Sequence, residues 1–219
     1  HEEPTTFPKS RYRKMKYGRM EKLLYNGQSS ITSDSAERIH NLERARSLEP
    51  KFYLPHLWLG KNYSDPDQAI ASLRQARELN RKSCNVYFEL GKMFEEMGDI
   101  DLARRTIRQA IENAPTFAVG LDKLADYAAQ ENEFIAAERL RQRALEANPW
   151  YRVPARKLAQ AAWDEGRLDE ARKLLQDNIE QSSTVWTDHY LLGQIYASEH
   201  RYENALKHLE QANTLEPDS

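Results

Sequence analysis

Small residues recur along this chain at a constant spacing of 34 residues, and this repeat constrains the fold more than any other feature of the sequence. One repeat position is occupied by Gly91, Ala125, Ala159 and Gly193. Two further positions read Ala103, Ala137, Ala171, Ala205 and Ala110, Ala144, Asn178, Ala212. A fourth holds Pro115, Pro149, Ser183 and Pro217. A period of this length indicates stacked copies of one supersecondary unit, each needing its neighbours to bury its apolar face.

The repeating unit is predicted to be a pair of amphipathic helices. Its apolar residues recur at spacings of three and four, which places them on one face of a helix. The chain contains only 8 glycines and 9 prolines, and runs of β-branched residues, which favour strands, are scarce. The recurring Gly and Ala residues are expected where two helices cross, because a small side chain lets the backbones approach closely. The sequence therefore predicts an all-α fold.

These residues resemble the tetratricopeptide repeat, whose pattern is Trp-x2-Leu-Gly-x2-Tyr followed by Ala, Phe and Pro. The last copy matches best, with Leu192-Gly193-x2-Tyr196 and then Ala205, Leu209, Ala212 and Pro217. An earlier copy contains Leu90-Gly91-x2-Phe94. The resemblance extends over residues 35–219. It implies a right-handed α-solenoid of antiparallel helix pairs, a tetratricopeptide-like superhelix.

The repeat spacing predicts the domain organisation. Five full repeats are expected at 53–83, 84–117, 118–151, 152–185 and 186–219. The first is short, since Gly60 and Ala69 are 9 residues apart where other copies have 12, and we expect Asp65-Pro66-Asp67 to form a shortened turn between its helices. Residues 19–52 are predicted to form a degenerate N-terminal repeat. Residues 1–18 are predicted to be a basic arm that is extended or poorly ordered.

Composition excludes several classes of protein. The chain has 32 Lys and Arg against 34 Asp and Glu, a balance that argues against a dedicated nucleic-acid binder. No apolar run approaches the roughly 20 residues that span a bilayer, which leaves a membrane tether outside this chain as an alternative. The single cysteine, Cys84, excludes an internal disulfide framework. A soluble domain in either the cytoplasm or the periplasm fits these observations.

The sequence contains no pattern of a catalytic or metal site. It has no Gly-rich phosphate loop, no His-Glu-x-x-His and no Cys-x-x-Cys. None of the six histidines has a partner at metal-ligand spacing on one helix face. His189 is expected to be a packed histidine, and Cys84 a small half-buried residue rather than a reactive thiol. We therefore predict a protein that is not an enzyme and binds no cofactor or metal.

The resemblance implies a binding groove lined by the first helix of each repeat, through positions 2, 5, 9, 12 and 13. These positions include three basic and six acidic residues. Some family members hold a chaperone's terminal carboxylate with a clamp of basic and Asn side chains. That clamp is absent here, and Asp122 and Asp126 occupy two of its positions. From the groove we predict the following partner-binding residues: Lys61, Asn85, Phe88, Lys92, Asp122, Asp126, Arg156, Gln160, Trp163, Tyr190 and Gln194.

Three aromatic residues in this set, Phe88, Trp163 and Tyr190, are candidate anchors for a partner. Exposed aromatic side chains are favoured as binding hot spots. The alternative is that each one packs between adjacent first helices. Combined with the acidic excess, the aromatic positions favour a protein or peptide partner with apolar and cationic side chains.

Three functional hypotheses follow, of which a non-catalytic protein-interaction scaffold is the first. The second is a structural or regulatory domain of a larger assembly or multidomain enzyme, of the secretion or envelope type and tethered to a membrane; the basic residues between 9 and 22 would suit an anionic surface. The third, RNA binding, conflicts with the acidic groove. The last repeat lacks a polar capping helix, which predicts a continuing chain or self-association through that repeat.

Overall fold

A computed structural model describes residues 35–216, and within that range the chain is entirely helical, with no strand. The predicted arm at 1–18 and the first half of the predicted degenerate repeat lie outside the described residues. The helices are α1 (Ser35–Leu48), α2 (Tyr53–Asn62), α3 (Pro66–Leu79), α4 (Cys84–Glu96), α5 (Ile100–Asn113), α6 (Ala118–Gln130), α7 (Phe134–Ala147), α8 (Val153–Asp164), α9 (Leu168–Gln181), α10 (Trp186–Ser198) and α11 (Tyr202–Leu215). The prediction of an all-α helical repeat is confirmed.

The chain forms two compact units, which we call unit 1 (through Asn113) and unit 2 (from Ala114). Unit 1 contains α1 and the hairpins α2–α3 and α4–α5, and unit 2 contains three hairpins, α6–α7, α8–α9 and α10–α11. In each hairpin the second helix packs along the first. Within a unit, the first helix of each following hairpin packs on the second helix of the hairpin before it. No helix within the described part of the chain is both long and apolar enough to cross a membrane.

The core of each unit is built from the repeat positions. In unit 1, Leu73 and Ala76 of α3 pack with Val86 and Leu90 of α4 in one buried cluster. In unit 2, one buried cluster comprises Ala159, Ala162, Ala171, Leu175, Leu192, Ile195, Tyr196 and Ala205. Small residues of one helix thus meet large apolar residues of the next, as the repeat predicts.

Four hairpins turn through a residue in the left-handed region. The residues are Gly98, Asn132, Gly166 and His200, spaced 34 apart, with φ of 83°, 62°, 76° and 59°. In each, the backbone N–H of the next residue donates to the carbonyl of the residue five earlier, which closes the end of the first helix. Asn and His replace glycine in two copies, and both residue types are enriched in this conformation.

The short hairpin α2–α3 corrects one expectation. We predicted that its turn is shortened, but α2 and α3 are joined by three residues, as α4 and α5 are. The missing residues come from the helix instead, since α2 has 10 residues and α4 has 13. Asp65 disfavours helix because proline follows it, and its side chain caps α3 by accepting from the Asp67 N–H at 3.0 Å.

Three glycines mark the closest approach within hairpins. A Cβ on Gly91 would lie 2.4 Å from Cγ1 of Ile107 and 3.2 Å from the carbonyl oxygen of Ala103. The equivalent atom on Gly60 would lie 2.4 Å from Cγ of Leu73, and on Gly193, 2.8 Å from Cγ of Leu209. At these positions the second helix leaves no room for a methyl group.

Two histidines meet between α10 and α11. Nδ1 of His189 lies 3.1 Å from Nδ1 of His208, and Nε2 of His189 lies 3.2 Å from the carbonyl oxygen of Ser183. If Nε2 donates to that carbonyl, Nδ1 of His189 is the acceptor for the His208 N–H. The His208 ring also stacks against Tyr196, with centroids 5.7 Å apart. Burial lowers the pKa of His208, and the neighbouring His189 and Lys207 lower it further.

We predict that Gly91→Ala destabilises the protein by about 1–3 kcal/mol through overpacking. Helix propensity alone predicts the opposite sign, a gain of about 1 kcal/mol. Urea unfolding distinguishes the two. In the Ile107→Ala background the clash is removed, so Gly91→Ala should become neutral or stabilising. A stabilised Gly91→Ala single variant would show that the helices separate without cost.

We predict that the free energy of unfolding falls as the pH drops below about 6.5, and that His208 contributes to this fall. The lowered pKa means that the folded protein binds this proton less tightly than the unfolded chain does, so the contribution is fully present above that pH and is lost below it. Urea unfolding at pH 7.5, 6.5 and 5.5 measures the slope. His208→Gln should flatten it, with exposed His40→Gln as the control. An unchanged slope in His208→Gln would contradict the prediction.

Candidate functional site

In unit 1, the two predicted groove lysines are held by one glutamate. Glu89 of α4 binds Nζ of Lys61 at 3.0 Å and Nζ of Lys92 at 3.1 Å, and its side chain is 14% exposed. The Lys61 ammonium also lies 4.5 Å from the centre of the Trp58 ring. Glu89 was not among the predicted residues. It connects α2 to α4 and offsets one of the two positive charges of the lysines.

The two other predicted residues of unit 1 lie on α4. Phe88 is half-buried and Asn85 is exposed. Phe88 is neither fully buried nor fully exposed, so anchor and packing residue both stay predictions for it.

In unit 2, the predicted acids Asp122 and Asp126 of α6 belong to a partly buried ionic network. Lys157 of α8 contacts Asp122 at 3.0 Å and Asp126 at 2.7 Å. Arg141 of α7 donates to Asp126 at 3.1 Å, and the Tyr151 hydroxyl donates to Asp122 at 2.9 Å. Burial and the Asp122 carboxylate raise the pKa of Tyr151 well above its usual value. Two cations, Lys157 and Arg141, therefore balance the two acids that occupy part of the positions of the chaperone clamp.

Arg141 stands where the other repeats have a large apolar residue. The same repeat position is occupied by Ile107, Leu175 and Leu209. Arg141 is only 9% exposed, and its Nε lies 3.8 Å from an oxygen of the buried Asp122. This break in an apolar series is a signal in the sequence, and our motif-based reasoning missed it.

A second buried ion pair connects α8 to α10. The guanidinium of Arg156, a predicted groove residue, binds Asp188, which is 1% exposed. The Asn178 amide donates to the same Asp188 carboxylate at 3.3 Å. This contact explains why Asn178 interrupts the Ala110, Ala144 and Ala212 series: its amide is a partner for a buried charge.

The remaining predicted residues of unit 2 lie on α8 and α10. Trp163 is half-buried and packs against the buried cluster that contains Ala159 and Leu192. Tyr190 is 43% exposed and meets Trp186 edge-on, with centroids 6.1 Å apart. The Gln160 amide donates to Asp164 at 2.9 Å, and Gln194 is half-buried. Helices α8 and α10 contact each other directly.

The reactive side chains considered from the sequence lie in ordinary helical surroundings. Cys84 begins α4, is half-buried, and has a pKa raised by burial rather than lowered. His189 is packed, with 6% exposure, as expected. Within residues 35–216 no three potential metal-ligand side chains come together.

Comparison with known proteins identifies the repeat. Two family models, both described as tetratricopeptide repeat, match residues 85–117 and 156–219. Both matches fall on helix hairpins with the packing described above. This chain is a tetratricopeptide repeat protein. No curated protein sequence matches it significantly.

Solved structures with the same fold are distant in sequence. The tetratricopeptide protein described here superposes on Pseudomonas aeruginosa PilF with a TM-score of 0.77 at 15% identity, covering 93% of this chain and 95% of PilF. It matches a chain of the APC/C hetero-tetramer Cut9–Hcn1 with a TM-score of 0.74 at 18% identity, covering 92% of this chain but 40% of that one. YrrB gives a TM-score of 0.57 at 21% identity, with 81% and 93% covered. These likenesses establish the fold.

We predict that Arg141→Leu destabilises the protein by about 3 kcal/mol. The change restores an apolar residue at this repeat position but leaves two carboxylates with a single lysine, and breaking a buried ionic network from one side is costly. Thermal and urea unfolding measure the loss. Arg139→Leu, an exposed change on the same helix, should stay within about 0.5 kcal/mol of the wild type. An Arg141→Leu variant as stable as the wild type would show that the network is not needed for folding.

Proposed function

We propose that this tetratricopeptide repeat protein is a protein-interaction scaffold that binds a peptide or protein segment on the first helices of unit 2. The observation that carries the proposal is the accessible aromatic surface on α8 and α10. Tyr190 exposes 43% of its surface, and Trp163 remains partly accessible although it packs on the core. Partly buried aromatic residues fixed by their own packing are good anchors, because they lose little conformational entropy on binding.

Polar groups beside these rings support recognition of a peptide backbone. Gln160 and Gln194 lie on the same two helices, and an amide both donates and accepts hydrogen bonds. By contrast, Arg156 is committed to Asp188, and Asp122 and Asp126 to Lys157 and Arg141. The proposed contact surface therefore consists of Trp163, Tyr190, Gln160 and Gln194 rather than the whole predicted set. YrrB, which shares the fold, is described as having an unusual peptide-binding site.

Unit 1 offers a smaller surface of the same kind. Phe88, Asn85 and Lys92 lie on α4, the first helix of the α4–α5 hairpin. Glu89 binds both Lys92 and Lys61, so the three side chains together keep one net positive charge, which is less than the basic track that a strand of phosphates needs. The proposal therefore assigns it to protein contacts rather than to RNA.

We predict that Tyr190→Ala and Trp163→Leu each weaken binding of partners captured from source-cell lysate by at least tenfold, as measured on purified partner by calorimetry. Leucine keeps part of the core contact of Trp163, so the fold is retained. Trp150→Ala is the matched control, because Trp150 is 79% exposed but lies outside the first helices. Wild-type affinity in both variants, or an equal loss of affinity in Trp150→Ala, would refute the proposed surface.

A further inference from the structure

Unit 2 contains a cleft that adjoins the aromatic surface of α8 and α10 and shares Gln160 with it. It has a volume of about 450 Å³, within the range of ligand pockets, and is lined by residues of α6, α7 and α8 and by Glu165 just beyond α8. Its apolar lining comes from Ala129, Ala137, Ala161 and Phe134. Because three of these are alanines, the helices leave space that larger side chains would fill. Phe134 is 59% exposed, so one aromatic ring borders the space.

Acidic side chains outnumber the available cations at this cleft. Glu138, Asp164 and Glu165 line it, and one guanidinium, that of Arg167, contacts Glu165 at 2.9 Å and Glu138 at 3.5 Å. Arg167 also binds Glu170, so its charge is shared among three glutamates. Asp164 accepts from a neutral amide, that of Gln160, at 2.9 Å.

The two cations that line the cleft do not offset these acids. Arg141 and Lys157 are bound to Asp122 and Asp126 in the network described above, which balances two positive against two negative charges. The remaining field at the cleft is therefore negative. An apolar lining beside carboxylates that one shared guanidinium compensates only in part is complementary to a side chain with an aliphatic stem and a cationic head.

We propose that this cleft binds a long cationic side chain, Lys or Arg, of a protein partner. The methylene stem would cover the alanines, and the charged head would lie among Glu138, Asp164 and Glu165, with the Phe134 ring available for a cation–π contact. The proposal rests on the proposed function, since it supplies the chemistry of one residue of the partner. It adds a specificity for one cationic residue of the partner, at a site lined by residues other than Trp163 and Tyr190.

Single blocked amino acids test the cleft without any partner. The probes are the Nα-acetyl methylamides of arginine, lysine, citrulline and glutamate, titrated into the 15N-labelled chain and followed by amide chemical shifts. We expect the arginine or lysine probe to bind with a Kd of about 1 mM, the strength attainable by a ligand of this size, and to shift the amides of Ala129, Ala137 and Ala161. Citrulline, the neutral isostere of arginine, should bind at least fivefold more weakly than arginine.

Variants separate charge from shape. Asp164→Asn/Glu165→Gln should weaken the arginine probe at least fivefold and leave citrulline unchanged, and Ala161→Leu should abolish both by filling the cleft. Asp177→Asn/Glu180→Gln removes the same charge from exposed positions of α9 and is the matched control. Equal binding of citrulline and arginine, tighter binding of the glutamate probe, or no shifts at the three alanines would each overturn the proposal.

The two proposals can be refuted independently. If no probe binds, but Tyr190→Ala and Trp163→Leu each weaken partner binding tenfold, the cleft proposal is refuted and the aromatic contact surface is supported. Probe binding with unchanged partner affinity in those two variants would keep the cleft and refute the aromatic surface.

Discussion

The packing of a small residue on one helix against a large apolar residue on the next holds each hairpin together. At Gly60, Gly91 and Gly193 the second helix comes so close that an added Cβ would overlap a Leu or Ile side chain. Ala125 and Ala159 occupy the same repeat position in the other two hairpins and are fully buried. This contact sets the distance between the paired helices, and the remaining core positions follow from that distance.

Ion pairs connect successive hairpins of unit 2 at two places. Lys157 of α8 binds the acids of α6, which Arg141 also binds within their own hairpin, and Arg156 of α8 binds Asp188 of α10. Buried ion pairs contribute little net stability compared with apolar residues of similar volume. A packing that left one of the buried charges without its partner would, however, be strongly destabilised. They therefore specify which helix faces pack together. Around Arg141, where the apolar residue of other repeats is missing, the alanine-lined cleft opens beside the network.

The two candidate surfaces of unit 2 differ in physical character. The aromatic surface offers Trp163 and Tyr190 beside amide groups, which suits a peptide backbone and apolar side chains. The cleft offers an apolar lining with excess negative charge, which suits one cationic side chain. As proposed, the aromatic surface would take the apolar part of the partner chemistry that the sequence favours, and the adjoining cleft would take the cationic part.

The sequence by itself determined the helical repeat and the positions of the small residues, because the 34-residue period presents the same pattern several times. The family followed from the resemblance of motifs such as Leu192-Gly193-x2-Tyr196 to the tetratricopeptide pattern. The sequence also indicated Trp163 and Tyr190 as surface candidates through their repeat positions. Only the tertiary structure decided which polar residues are available. Glu89, Arg141 and Asn178 come from positions that the groove pattern does not include, and each pairs with residues from another helix. Pairing of charges depends on distances between side chains far apart in the chain, and a repeat pattern contains no record of those distances.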